Sequence, residues 1–425
     1  MTGFVDGLLA VLLAVCWNAM IAFRIKGAFP VLEGRFVART FVQTLVLRYV
    51  GAVVLNAYAT SSSFANAFWG DSITYDHGGW LLAMRWSGET YLSPYVSSAV
   101  SGFGFQYLVG ALYYVFGRNQ LLVQFVNGTL GALSVVVIYA IARELFDAAA
   151  ARWAALFMAF FPQMIFWSCA MYKDPSILLC IAVSMWAVLK LRERFTPGHI
   201  LFYLGSLLIL MTLRFYVFYM VAFATLGTFV FTRRRAVFAG FLGQAVLVGL
   251  FLAAMAFGVR RETVEQQTSY FDLERVQTAR AGQIMVGQSG FGEEIDVSTP
   301  EGALSAIPVG LVYLLFAPFP WQISGLRQLL TVPETLVWYA LMPALWRGLV
   351  HTVGSRFREA LPILVFAGTL TMAYAIFQSN VGTAYRQRTQ VAMFFFVFIG
   401  VGLEERRRRR ELARTRGGRS LAWQR

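Results

Sequence analysis

Apolar runs of the length that crosses a bilayer core of roughly 30 Å recur along the chain, separated by short polar joints. The runs cover residues 4–23, 41–60, 121–142, 153–167, 177–191, 200–213, 215–231, 236–259, 335–346, 361–378 and 391–403. The first is too long for a cleavable signal and lacks its basic start, so it is expected to be kept as a span. Between residues 61 and 117 the amphipathic pieces are rich in Tyr and Trp, a pattern suited to lying along a membrane surface. Residues 308–328 are apolar but broken at Ala317-Pro318-Phe319-Pro320-Trp321. They read as a re-entrant or interfacial hairpin, whose backbone must be satisfied by protein or a wet cavity. Residues 260–306 form a long segment of mixed charge, expected to fold as an external cap or lid.

Composition agrees with that pattern. Of 425 residues, 58% are hydrophobic and only 14% charged, and the mean hydropathy is +0.60. The fold class is therefore an all-α polytopic membrane protein, with about eleven transmembrane helices on the spacing above. The net charge of +14 would suggest nucleic acid in a soluble domain, but Lys and Arg sit in clusters between apolar runs. That is a topological signal, and no nucleic-acid partner is expected. Arg24, Lys26, Arg35 and Arg39 place the first joint in the cytoplasm; Arg143, Lys190, Arg192, Arg194 and Arg233 to Arg235 mark later inner joints. Arg48, near the inner end of the second run, is expected to snorkel to the interface. The tail from Glu404, with Arg406 to Arg410, is expected to be cytoplasmic and disordered, in contact with anionic lipid headgroups. Cys16, Cys169 and Cys180 are isolated in apolar sequence and give neither a disulfide framework nor a metal motif.

On this topology, expected for a bacterial inner (plasma) membrane, most acids fall on the periplasmic or extracellular face. The stretch 69–88, WGDSITYDHGGWLLAMRWSG, puts Asp71, Tyr75, Asp76 and His77 within seven residues. Lys173, Asp174, Arg214, Arg386 and Arg388 lie on the same side. Ionisable groups at the edge of a membrane core are costly unless they pair or line a cavity, so they are candidates for function. A carboxylate there can act as general base to a hydroxyl, and Arg or Lys can hold a phosphate through charge-assisted hydrogen bonds. If 69–88 is helical, Asp71 and Tyr75 share a face, while Asp76 lies about 140° round from Asp71, so only one acid points into a cavity. His77, a lone histidine beside Gly78-Gly79, reads first as a local hydrogen-bonding residue and second as a metal ligand or acid. Two or three external carboxylates permit a bound divalent cation, Mg or Mn, without requiring one. The sequence contains no Gly-rich phosphate loop, no Ser/His/Asp constellation and no zinc-spaced His/Cys cluster.

Several of these features occur in a recognisable order: Asp71 to Tyr75; Tyr113-Tyr114-Val115-Phe116-Gly117-Arg118-Asn119; a helix ending in Ala142-Arg143-Glu144-Leu145-Phe146; Pro162; and Lys173-Asp174. Over residues 71–213 the order resembles the N-terminal half of GT-C-fold glycosyltransferases, in the protein O-mannosyltransferase and aminoarabinose-transferase branch. The resemblance implies an inverting transfer of a sugar from a polyprenyl phosphate to an acceptor on a glycan, lipid or protein. It further implies Asp71 as base with Asp76 as competitor, Asp174 as second acid, and Lys173, Arg214, Arg386 and Arg388 around the lipid phosphate. The sequence departs from the pattern by an extra span before the first external loop, by the lysine preceding the second acid, and by the lack of a large soluble C-terminal domain. Two rivals remain: a Wzy-like polymerase or O-antigen-ligase-like enzyme, in which arginine would dominate, and a lipid or glycan transporter. The expected organisation is two N-terminal spans (1–60), a first external loop bearing the base (61–117), a GT-C-like core (118–259), a lid loop with the hairpin (260–330), C-terminal spans (331–403) and a basic tail (404–425).

Overall fold

The computed structural model of the chain describes residues 2–61, 65–89, 104–231, 272–286, 289–323 and 329–422. Among these the protein is helical, with no strand beyond an isolated bridge between Gly290 and Asn380. In chain order the helices are α1 (Thr2–Ala28), α2 (Val31–Ser61), α3 (Ala65–Trp86), α4 (Gly104–Phe116), α5 (Gln120–Leu145), α6 (Ala148–Phe160), α7 (Pro162–Cys169) and α8 (Asp174–Glu193). There follow α9 (Pro197–Leu213), α10 (Phe215–Phe231), α11 (Leu273–Val286), α12 (Pro300–Phe316), α13 (Val332–Ser355), α14 (Phe357–Phe377) and α15 (Val381–Ala422). The chain is a multi-pass membrane protein. Five described helices are long and apolar enough to cross a membrane, six if the bent α6–α7 pair counts as one. The apolar stretches of α9, α10 and α12 are shorter, and the span expected at 236–259 lies outside the described residues.

The core forms where α5 packs on α2, α6 and α8, and where α15 packs on α6 and α13. Asn119 caps α5 by accepting from the Leu122 amide (3.0 Å), and Asp147 caps α6 by accepting from Ala150 (2.8 Å). Helices α13 and α15 approach at glycine: a Cβ on Gly348 would meet the Phe398 carbonyl, and one on Gly402 the Ala344 carbonyl. Without a hydrophobic drive between helices in lipid, such small-residue contacts let backbones pack closely.

Three structural facts differ from the reading of the pattern. The run at 153–167 is a broken helix, bent by 48° between α6 and α7. Pro162 has no N–H to continue the ladder, which accounts for the break. Arg48 is buried and holds that break: its guanidinium donates to the carbonyls of Ala159 (3.1 Å) and Met158 (3.4 Å), where the C-terminal end of α6 needs donors and favours positive charge. It does not snorkel. The tail is also helical through Ala422, with Arg408 on Glu404 (3.3 Å) and Arg409 on Glu405 (2.8 Å), one turn apart.

Arg48 is one of three arginines used in this way. Arg388 donates to the carbonyls of Leu315 (3.2 Å) and Ala317 (3.0 Å) at the end of α12, joined there by Trp338 Nε1 on Leu315 (2.7 Å) and Tyr339 Oη on Phe316 (2.6 Å). The backbone break before Pro318 is thereby satisfied by protein. Arg280 on α11 donates to Ile376 (2.6 Å) and Gln378 (3.0 Å) at the end of α14. Residues 289–291 bond the 379–381 turn through Phe291 N to Ser379 O (2.8 Å) and Val381 N to Ser289 O (2.9 Å). The described part of the 260–306 segment thus packs against the turn that opens α15.

Candidate active site

Four helix beginnings or joints meet at one end of the bundle. α3 carries Asp71 in its second turn. The turn between α7 and α8 presents Tyr172 and Lys173, and Asp174 opens α8 with Pro175 behind it, the arrangement that proline and acidic residues favour at a helix start. Arg214 is the single residue joining α9 to α10, and its side chain is buried. Arg386 stands in the second turn of α15. The 170–173 turn is pinned from α5: the buried Asn127 amide donates to the carbonyls of Ala170 (2.7 Å) and Tyr172 (2.9 Å).

Arg386 is the centre of the resulting network. Its Nε and Nη2 donate to Asp174 Oδ2 at 2.8 and 2.5 Å, and its Nη1 donates to Asp71 Oδ2 at 2.7 Å. Arg214 Nη2 reaches the other oxygen, Asp174 Oδ1, at 3.3 Å. The Arg386 guanidinium lies over Tyr172 (4.3 Å) and Trp167 (5.3 Å), so cation–π contact fixes its plane. The two carboxylates differ sharply: the Asp174 side chain is 0% exposed and the Asp71 side chain 53%. Asp174 therefore orients the arginines from behind, while Asp71 faces open space. That space is a cavity of about 620 Å³ lined by Asp71, Lys173, Arg214, Arg386, Thr383 and Tyr216, among others. Burial, with repulsion from Arg214 added, pulls the Lys173 ammonium down to about 8. Three basic groups against two carboxylates leave the cavity with a positive excess that suits an anion.

The remaining candidates lie elsewhere. Asp76, on the other side of α3, accepts from Tyr113 Oη (2.6 Å) and pairs with Arg118, itself over Trp80 (5.5 Å). Burial would raise this carboxyl, but the bonds from Arg118 and Tyr113 outweigh it and hold it below the usual range. Tyr75 is buried, edge-on to Phe105 (5.1 Å), and backs the α3 surface rather than lining the cavity. His77 is exposed on α3 and outside the cavity. Arg388 follows Arg386 by two residues, about 200° round the helix, and faces α12 and α13. Among the described residues no three of His, Cys, Asp and Glu gather to hold a metal. Arg386 bonds one oxygen of Asp71 and one of Asp174, and Arg214 bonds the other Asp174 oxygen. Sequence reasoning missed Asn127, Trp167 and Tyr172, which carry no motif, although an amide inside an apolar helix is itself a signal of a specific partner.

Residues 101–257 match the family described as dolichyl-phosphate-mannose-protein mannosyltransferase. The resemblance drawn over 71–213 thus falls largely on the matched stretch, which contains Lys173, Asp174 and Arg214; Asp71 and Arg386 lie outside it. Two solved structures are similar to the chain: the Archaeoglobus fulgidus oligosaccharyltransferase in the apo form (14% identity, TM-score 0.48), and the oligosaccharyltransferase AglB of that organism in complex with an inhibitory peptide and a dolichol-phosphate (12% identity, TM-score 0.47). Each comparison covers 88% of this chain and 51% of the other, so the chain spans about half the length of those proteins. No curated protein sequence matches the chain.

Proposed function

We propose that the protein is a membrane glycosyltransferase that moves a sugar from a polyprenyl-phosphate-linked donor to an acceptor hydroxyl or amine on the extracytoplasmic face of a bacterial inner membrane, with inversion. The observation that carries this reading is the Arg386 network at the mouth of a basic cavity, in a chain whose residues 101–257 match the mannosyltransferase family. In this reaction Asp71 takes the acceptor proton, the acceptor oxygen or nitrogen bonds the anomeric carbon, and the anomeric C–O bond breaks with its electron pair going to the phosphate. The leaving polyprenyl phosphate gains one negative charge. Lys173, Arg214 and Arg386 stabilise that charge as it develops, which is where preorganised cations accelerate a reaction. Asp174 keeps two of them in place.

Topology supports the same side for the site. α5, α8 and α15 all begin near the network; α5 and α8 carry Arg143 and Lys190 with Arg192 in their last turns, and α15 carries Arg406 to Arg410 beyond its apolar stretch. Basic ends favour the cytoplasm. A cysteine placed at the exposed Thr74 in a Cys16→Ser background is expected to label from outside only. Labelling from the cytoplasm alone would reverse the topology and remove the proposal.

The direct test incubates the purified protein with a panel of polyprenyl-phosphate sugars and acceptors and measures released polyprenyl phosphate. Asp71→Asn is expected to slow release by a factor on the order of 10²–10⁴. One specific observation favours a second reading: Arg386, not Asp71, is the most connected group, as in a polymerase or ligase that joins lipid-linked glycans with arginine. If Asp71→Asn turns over normally while Arg386→Ala is dead, that second reading replaces the first.

A further inference from the structure

Beside the basic cavity lies a second one of about 440 Å³, within the usual range of small-molecule sites. The two share Trp167, Tyr172 and Gly382 as a common wall. Their characters are opposite. No Lys or Arg lines the second cavity; Phe166, Trp167, Tyr172 and Leu330 give it aromatic and apolar sides. Its lining includes two polar side chains that the fold has withdrawn from water, Gln163 (1% exposed) and Glu334 (4% exposed).

Both are held in place and both are incompletely bonded. The Gln163 amide nitrogen donates to the Tyr385 carbonyl, which fixes the amide and turns Oε1 away from that bond. Tyr385 also hydrogen-bonds Glu334. Gln163 Oε1 and Glu334 Oε1 nevertheless accept no hydrogen bond from the protein. Buried acceptors without donors cost free energy, and a ligand that brings O–H groups removes that cost. An isoprenoid chain has no donor to offer, and a phosphate would set its oxygens against the Glu334 carboxyl. A saccharide ring suits both features: its C–H face lies against an aromatic wall and its hydroxyls meet the two acceptors.

We propose that this second cavity is the acceptor subsite and that it takes a saccharide, seated against Phe166, Trp167 and Tyr172 and hydrogen-bonded to Gln163 and Glu334. The inference rests on the glycosyl-transfer reading above and names its acceptor as a glycan. The shared Trp167–Tyr172 wall then puts the acceptor hydroxyl next to the cavity that contains Asp71.

The test is a binding measurement that needs no turnover. The full chain, purified in a detergent without sugar headgroups, is dialysed to equilibrium against a panel of tritiated methyl glycosides, and separately against tritiated polyprenyl phosphate. Saturable binding of at least one glycoside is expected, weakened roughly tenfold or more by Glu334→Leu, which removes an acceptor. Leu330→Trp, at a position 70% exposed and so tolerant of bulk, fills the cavity from its rim and is expected to do the same. Neither variant should change polyprenyl-phosphate binding. If both variants weaken polyprenyl-phosphate binding and spare the glycoside, the cavity holds the donor's lipid chain and the inference is overturned. It is equally overturned if no glycoside binds saturably, or if both variants bind glycoside as the wild type does. Glycoside binding in a chain that releases no polyprenyl phosphate from any donor would instead sink the transferase reading.

Discussion

Two clusters of ion pairs mark the two ends of the Arg386–Arg408 stretch of α15, built from the same kinds of side chain in opposite surroundings. At one end Arg386 and Arg214 meet Asp174, a carboxylate without exposed surface, and Arg386 reaches on to Asp71. At the other end Arg408 meets Asp147 and Glu404, with the side chains of Arg408 and Asp147 56% and 40% exposed. Exposed pairs contribute little because water screens them and long side chains lose freedom to form them. A buried charge is another matter, since removing one partner strands the other out of water. The pairs whose loss would cost the fold most are therefore at the Arg386 end, and those at the Arg408 end register where α15 rests on α6.

The sharpest way to break this comparison is Asp71→Asn, expected to reduce turnover by a factor on the order of 10²–10⁴, the usual worth of a general base. Its half-exposed position implies an unchanged melting temperature, so loss of activity together with loss of fold would reassign Asp71 to scaffolding. Arg386→Ala should remove activity and also destabilise the protein by about 3–5 kcal/mol, because Asp174 is left buried and half-paired; a thermal melt in detergent reads this directly. The double variant Arg386→Ala/Asp174→Asn should recover stability but not turnover.

A milder change is Asn127→Leu. It keeps the α5 surface apolar but strips the buried Ala170 and Tyr172 carbonyls of their donor, so the melt is expected to show a loss of about 1–3 kcal/mol of stability and the donor KM to rise. The basic cavity also predicts a pH dependence. The Lys173 ammonium titrates near 8, lowered by burial, so it is charged below that pH and neutral above it. Donor binding should then weaken as pH rises through about 8, and Lys173→Arg, charged throughout, should lack that alkaline limb. An identical limb in the arginine variant would show that another group titrates. At the far end Arg408→Ala should cost less than about 1 kcal/mol and leave turnover alone; a large loss there would erase the distinction between the two clusters.

Much of this was legible in order along the chain. Apolar runs marked α1, α2, α5, α8 and α14 because a span needs length and hydrophobicity that little else in a sequence supplies. The angle between Asp71 and Asp76 followed from helical geometry alone, and the two acids do occupy different surroundings, a cavity and an Arg118 clamp. The same geometry applied to Arg386 and Arg388 would have separated them, two residues being more than half a turn. What stayed hidden depends on contacts between distant segments: Arg386 meets Asp71 across 315 positions. Gln163 and Glu334 look unremarkable in sequence, since their unsatisfied oxygens exist only once α7, α13 and α15 enclose them. The role of Arg48 is hidden for a related reason, its partners being carbonyls exposed by a helix break more than a hundred residues away.

The uninterrupted course of α15 has one more consequence. Between Arg386 and Arg408 the helix has no proline and no break, so at about 1.5 Å per residue these two charged groups are held roughly 33 Å apart. That is close to the hydrocarbon thickness of a typical bilayer, about 30 Å. The stretch between them is in effect a ruler with a charge at each end. A bilayer appreciably thicker than the ruler would pull one of those charges into oil, so the chain carries in α15 its own measure of the membrane it fits.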